Sequence, residues 1–300
     1  MGIDEKIKRI NELYHNRNRA GKTVMQVLHV AAEEYLGWLC NTKMLLLVFL
    51  FVYLKGQISD VLLVLTDISG APLQWFEPGI ALLNSRYVMM VLPFLYLTLM
   101  SAFPKNDGNS LFFVSRTGKF SWLAGQILTA VYSAATLTMA SVAAVTLPCI
   151  GKIQWNGGNW SDAVTKYYVE SPDFKFSLVT GRIYNHMQPG EAFFHSVCLA
   201  FLCLLLVSAV QLLSAVWGKK TAGLVAASGL TAVGGVLSLM ESGKFMWYFP
   251  TANTQIWLRH DMIVRDQTVP LGTSYMYFIV LIAVLFVVAW AVFRKRSFQG

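Results

Sequence analysis

Six apolar runs dominate the sequence, at about 38–57, 86–103, 120–150, 191–217, 221–240 and 275–293. Each approaches the ~20 residues that an α-helix needs to cross the hydrocarbon core of a bilayer. Only 13% of the 300 residues are charged, against about 25% in soluble domains, and the deficit is spread along the whole chain. The expected fold is therefore an all-α membrane protein of six transmembrane helices. The first run is the least clear. Its core, MLLLVFLFVYL at 44–54, is too short alone, so the span must recruit residues before Lys43 or continue past Gly56.

The formal net charge of +8 is distributed in a way that orients these spans. Basic residues collect in the N-terminal segment (Lys6, Lys8, Arg9, Arg17, Arg19, Lys22), in the connection after the second run (Lys105, Arg116, Lys119), in the turn after the fourth (Lys219, Lys220) and at the C-terminus (Arg294, Lys295, Arg296). Six spans put all four segments on one side, and the positive-inside rule makes that side cytoplasmic. The positive charge is thus accounted for by topology and calls for no nucleic acid. The first 40 residues have no apolar core of the kind a cleavable signal peptide carries, so both termini are expected in the cytoplasm. The chain then reads as one unit over 1–300. It has a cytoplasmic N-terminus at 1–40, a six-span bundle at 41–293 and a basic tail at 294–300.

Three segments remain for the outside: 58–85, 151–190 and 241–274. The second carries Trp155, Trp160 and the turn-forming NGGN; the third carries FMWYFP and then WLRHD. Trp and Tyr favour the headgroup level, so the third is expected on or within the outer interface. No outside segment is long enough for a separate enzymatic domain.

Between Lys22 and Cys40 the pattern changes. Val24, Val27, Leu28, Ala31, Ala32, Tyr35, Leu36 and Leu39 recur at helical spacing, with Lys22, Gln26, His29 and Glu33 between them. Such a two-faced helix suits the inner membrane surface; the alternative is a helix packed on another domain.

Several patterns resemble chemistry-bearing motifs. AGKT at 20–23 resembles the end of a phosphate-binding loop, but the required upstream glycine is Asn16. Glu33–Glu34 resembles a paired-glutamate protease motif, but no Arg follows within Tyr35–Leu39. Glu191 and His195 stand one turn apart, yet QPGEAFF also reads as a helix start. Cys40, Cys149, Cys198 and Cys203 lie in or beside apolar runs without metal-ligand spacing and imply neither a metal nor a disulfide framework. The stripe Gly223, Ala227, Thr231, Gly235 lets a helix approach a neighbour closely, either within the chain or across a subunit interface. No run has a charge well inside it, which argues against a proton-coupled carrier.

The connection at 103–126, FPKNDGNSLFFVSRTGKFSWLAGQ, has a turn signal at Asn106–Gly108 and then apolar residues mixed with Arg116 and Lys119. With the amphipathic N-terminal helix and six runs, its pattern of Phe103-Pro104, Asp107-Gly108-Asn109, Phe112-Phe113, Arg116, Gly118-Lys119, Trp122 and Gly125-Gln126 resembles bacterial permease subunits of the type-2 ABC exporters. The resemblance covers nearly the whole chain. It implies a loop docked on a separate ATP-binding subunit, with Pro104, Lys105, Asp107, Asn109, Arg116 and Lys119 at or near that contact and Lys219 and Lys220 at a second one. It also implies a second permease subunit, identical or different, a surrounding of membrane lipids in a bacterial cytoplasmic membrane, and ATP and Mg on the partner rather than on this chain. The chain has neither a phosphate-binding loop nor an ABC signature, so it would hydrolyse no ATP alone. The expected cargo is amphipathic, a peptide or a lipid-like molecule. The alternatives are a membrane-embedded enzyme acting on a lipid, built on Glu191, His195, Arg259, His260 and Asp261, or a membrane scaffold or sensor without transport.

Overall fold

The computed structural model describes residues 3–104, 114–155, 158–170, 179–260 and 269–295, with the backbone alone at 3–20 and 167–170. Over these residues the protein is mostly helical. Five helical segments are long and apolar enough to cross a membrane: Thr42–Ser69, Lys119–Lys152, Pro189–Val216, Lys220–Leu239 and Leu271–Lys295. A bent pair, Glu77–Leu83 with Val88–Leu99, makes a sixth if it is counted as one span.

Helix α1 covers Ile3–Leu39. It stops where Asn41 turns its side chain to accept from the Lys43 backbone N–H at 3.0 Å, which starts a new helical run at Thr42–Met44. That run continues as α2 (Leu45–Leu54), a wider π-helical turn (Lys55–Ser59) and α3 (Asp60–Ser69). It ends at Gly70, whose φ of 66° accommodates the left-handed cap. Of the two alternatives for the first span, the helix takes continuation past Gly56, and 58–69, expected as part of an outside connection, is helical. This also corrects the expectation that no charge lies well inside a span, because Lys55 and Asp60 fall within Thr42–Ser69. In a regular α-helix residues five apart are rotated by about 140°. The π-turn brings these two onto one side, and Lys55 Nζ pairs with Asp60 Oδ1 at 3.0 Å. Both side chains remain about half exposed.

The second run is also different from its sequence reading of one helix over 86–103. Helix α4 (Glu77–Leu83) and helix α5 (Val88–Leu99) meet at 77°. The 12 residues of α5 rise only about 18 Å, less than the ~30 Å of a bilayer core. Asn84 sits in the bend. Its amide donates to Ile80 O and Ser196 Oγ, and its oxygen accepts from Ile256 N. Ahead of α4, β1 (Leu73–Gln74) pairs in parallel with β2 (Ile153–Gln154). The fully buried carboxylate of Glu77 accepts from Gln74 N at 2.9 Å and Ser161 N at 2.7 Å. The first bond is local, and the second ties the start of α4 to the start of α7 (Asp162–Glu170).

Helix α6 (Lys119–Thr146, extended by a tighter turn through Lys152) is the central strut. Helix α1 runs parallel to its first half, with Gln26 at Ser121, Val30 over Gly125, Ala31 at Thr129 and Tyr35 OH on Thr136 Oγ1 at 2.6 Å. The buried face of α1, Val30, Ala31 and Trp38, is thus turned to a neighbouring helix. Val24, Met25, Leu28, Leu36 and Leu39 are exposed.

After α8 (Gly181–Tyr184), helix α9 (Pro189–Val216) lies antiparallel to α6. Two bridges from the bent pair show the register. A Cβ at Gly79 would meet both Val142 and Phe193, and Tyr96 OH reaches Ser133 Oγ at 2.8 Å and Ser208 Oγ at 2.6 Å. Helix α10 (Lys220–Leu239) packs on α9 and α5, and α11 (Pro250–Thr254) follows it. Helix α12 (Leu271–Lys295) closes the bundle, with Tyr275 against His195 at one end and Phe293 stacked on Trp122 at the other.

Candidate functional site at the basic end of the bundle

The four basic segments found in the sequence converge, as far as they are described, on one end of the bundle. Helix α5 leaves by a tight turn, with Met100 N bonded to Tyr96 O and Phe103 N to Met100 O, and delivers the chain to Pro104. There Lys220, the first residue of α10, donates from Nζ to Ala102 O at 2.7 Å and to Pro104 O at 3.1 Å. The Lys43 ammonium bonds the hydroxyl of Ser101 one turn away. The root of the 104–119 connection, the α9–α10 turn and the start of α2 are joined by these two lysines.

The chain re-enters the bundle through a helical turn at 114–117, with Val114 buried and Arg116 exposed. Gly118, at φ 86°, breaks this turn from α6. Lys119 Nζ then donates to Arg294 O at 3.2 Å. A cation there meets the negative end of the α12 dipole. Phe120 stands edge-on to Trp290 at 5.6 Å and Trp122 stacks on Phe293 at 4.9 Å, so aromatic contacts fix α6 against α12 at the same level. Lys219 is exposed beside Lys220. Lys105, Asp107 and Asn109 lie outside the described residues. Of the polar positions on α1, Gln26 meets Ser121, while Lys22, His29 and Glu33 are exposed.

The small-residue stripe lies inside the chain. Gly223, Ala227, Thr231 and Gly235 are all buried. A Cβ at Gly223 would collide with the Ser214 side chain of α9, and one at Gly235 would come within 2.6 Å of Met90 of α5. The structure thus places the stripe against two helices of the same chain.

The residues considered for lipid chemistry sit at the far end, where Tyr275 lies between the Glu191–His195 pair and Arg259. Glu191 Oε1 is 3.9 Å from His195 Nε2, and His195 Nδ1 is 2.7 Å from Tyr275 OH. Arg259 is fully buried and turns to the carbonyls of Val269 and Pro270, to Asn253 and to the hydroxyl of Ser274, with Trp247 4.7 Å from its guanidinium. Burial pushes its pKa down to about 10, partly countered by Tyr275. His260 stacks on His186 at 4.7 Å. Asp261 lies outside the described residues. Close by, Glu241 bridges Arg86 and Arg182, each at 3.2 Å, and both guanidiniums lie over the ring of Trp257. The sequence reading missed that clamp, because its four members are spread over 86–257 with no shared spacing. Among the described residues no three His, Cys, Asp or Glu side chains gather as a metal site.

Compared with models of known protein families and with curated proteins, the chain matches none.

Proposed function

We propose that this chain is the membrane-spanning permease subunit of an ATP-driven exporter of the type-2 ABC class. The observation that carries the reading is the pair of hydrogen bonds that Lys220 donates to the Ala102 and Pro104 carbonyls. It joins the two segments that the family resemblance assigns to ATPase contact into one platform at the basic end. Arg116 and Lys119 stand on the same end, and Lys119 is braced against α12. Force applied to the 104–119 connection would reach α5, α6, α10 and α12 together. In this reading the bent α4–α5 pair counts as one span. The bundle then has six spans, both termini face the cytoplasm, and the membrane is the bacterial cytoplasmic membrane. A separate subunit binds ATP and Mg, and a second permease subunit completes the path for an amphipathic peptide or lipid-like cargo. ATP-driven closure of the ATPase pair would shift the spans between inward-open and outward-open packings.

The test is purification of the tagged chain from its native membrane, with its partners identified by mass spectrometry and ATP hydrolysis measured in nanodiscs. The expected result is an ATP-binding subunit in stoichiometric amount, with hydrolysis uncoupled from transport by Asp107→Lys together with Arg116→Ala. An isolated chain without an ATPase would overturn the reading in favour of the lipid enzyme or the scaffold.

A further inference from the structure

The interior seam between α6 and α9 contains polar groups that the fold does not use. Gln126 is fully buried, and neither its amide nitrogen nor its oxygen meets a hydrogen-bond partner among the described residues. Gln211 is 4% exposed, and its side-chain oxygen is likewise unmatched. Between their levels and the middle of the bundle stands a satisfied trio, Tyr96 with Ser133 and Ser208.

The register puts the two glutamines on the same side of that trio. Gln126 lies seven residues before Ser133 on α6, and Gln211 lies three residues after Ser208 on α9. The two helices are antiparallel, so both steps lead toward the basic end. Gln126 and Ser133 fall on one face of α6, and Ser208 and Gln211 on one face of α9.

A glutamine that only held helices together would bond across the interface, as polar residues in helical membrane bundles do. A buried amide left unmatched lowers stability, and an apolar side chain of similar shape at the same position does not. The unmatched amide of Gln126 and the unmatched oxygen of Gln211 therefore leave a donor and two acceptors on this side of the trio for a partner outside the resting fold. A carboxamide presents a donor and an acceptor together, so its best partner is another amide. A charged group would be expensive to bring into this buried seam.

We propose that Gln126 and Gln211 form a cargo site for the neutral amide group of an amphiphile, exposed when α6 and α9 separate. The proposal rests on the permease reading and narrows its cargo to uncharged, amide-bearing amphiphiles.

The probe is tritiated N-dodecanoylglycinamide, with an ester counterpart of equal length and no N–H as control. Saturable binding is measured on the chain in nanodiscs, alone and with any ATPase that co-purifies. Wild type is expected to bind the amide at least tenfold tighter than the ester. Gln126→Met and Gln211→Met are each expected to weaken amide binding about tenfold, to leave ester binding unchanged, and to melt no lower than wild type. Equal wild-type affinity for amide and ester would overturn the site without any variant. So would wild-type amide affinity in the Gln126→Met/Gln211→Met pair, or a melting loss in either variant alongside unchanged amide preference. Amide binding without an ATPase partner would keep the site and remove the permease reading. An ATPase partner without amide preference would keep the permease and remove the site.

Discussion

Lys220 Nζ lies 2.7 Å from the carbonyl oxygen of Ala102 and 3.1 Å from that of Pro104, across 118 and 116 residues of sequence. One ammonium thus closes the end of α5 onto the start of α10. Its side chain is partly exposed, so solvent takes back much of what the two bonds contribute. A net effect of about 1 kcal/mol is expected. Lys220→Met keeps the aliphatic stem and removes the donors. It should leave the spans folded, lower the melting temperature by about 2–4 °C, and raise hydrogen–deuterium exchange across 100–104. Unchanged exchange there would mean that the clamp does not hold the root of the connection.

Glu77 offers a sharper stability test, because its carboxylate is completely buried and accepts from two backbone N–H groups, at Gln74 and Ser161. Hydrogen bonds to a charged acceptor contribute about 1.5–3 kcal/mol each. Glu77→Ala removes both and leaves two donors unmatched, so a loss of about 3 kcal/mol or more is expected. Glu77→Gln keeps one acceptor oxygen and turns its NH2 toward the other N–H, so it should lose only part of that. Melting in nanodiscs, with limited proteolysis of 155–162, measures both. Cleavage there should rise in the order wild type, Gln, Ala.

Much of the bundle was legible because its signals are local. The runs that became α6, α9, α10 and α12 are apolar over a full membrane thickness and are bounded by basic residues. The stripe from Gly223 to Gly235 signalled close packing, but its partners Ser214 and Met90 belong to other helices and leave no mark on the stripe itself. The bend between α4 and α5 was invisible for the same reason. Asn84 is stabilised there by Ser196 and by the backbone of Ile256, residues 112 and 172 positions away. The sequence left two routes open for the first span, and the π-turn at Lys55–Ser59 takes the one past Gly56, carrying the helix on to Ser69. At the basic end the charges could be read from composition, whereas the backbone oxygens that Lys220 and Lys119 bind could not.

His260 should make the far end sensitive to acid. It is 3% exposed, and burial first, then the nearby His186 and Arg259, hold its pKa below the ordinary 6.5. The folded state therefore resists protonating it more than the unfolded state does. Its contribution is fully present above pH 6.5 and is lost as pH falls from there toward the lower folded value. Wild type should lose melting temperature between pH 7.5 and 5.5, and His260→Gln should lose less over the same interval. Equal losses would assign the acid sensitivity to other groups.

Topology can be tested with the cysteines that the chain already has. Cys40 is exposed at the break between α1 and α2, Cys149 and Cys203 are buried, and Cys198 is intermediate. Any labelling experiment must first replace Cys40 and Cys198 with Ser, since they would otherwise report their own positions. On that background, single cysteines at Asn159 and Arg116 probe opposite ends. Asn159 belongs to the connection leaving the far end of α6, and Arg116 is exposed just before α6 begins at the basic end. In the proposed topology, which follows the positive-inside rule, the basic end faces the cytoplasm. A membrane-impermeant maleimide on intact cells should therefore modify Asn159→Cys at once and Arg116→Cys only after the membrane is opened. Because α6 crosses once between the two sites, simultaneous labelling would deny it the role of a span. Labelling of Arg116→Cys alone would invert the protein and leave its basic platform with no ATPase to meet.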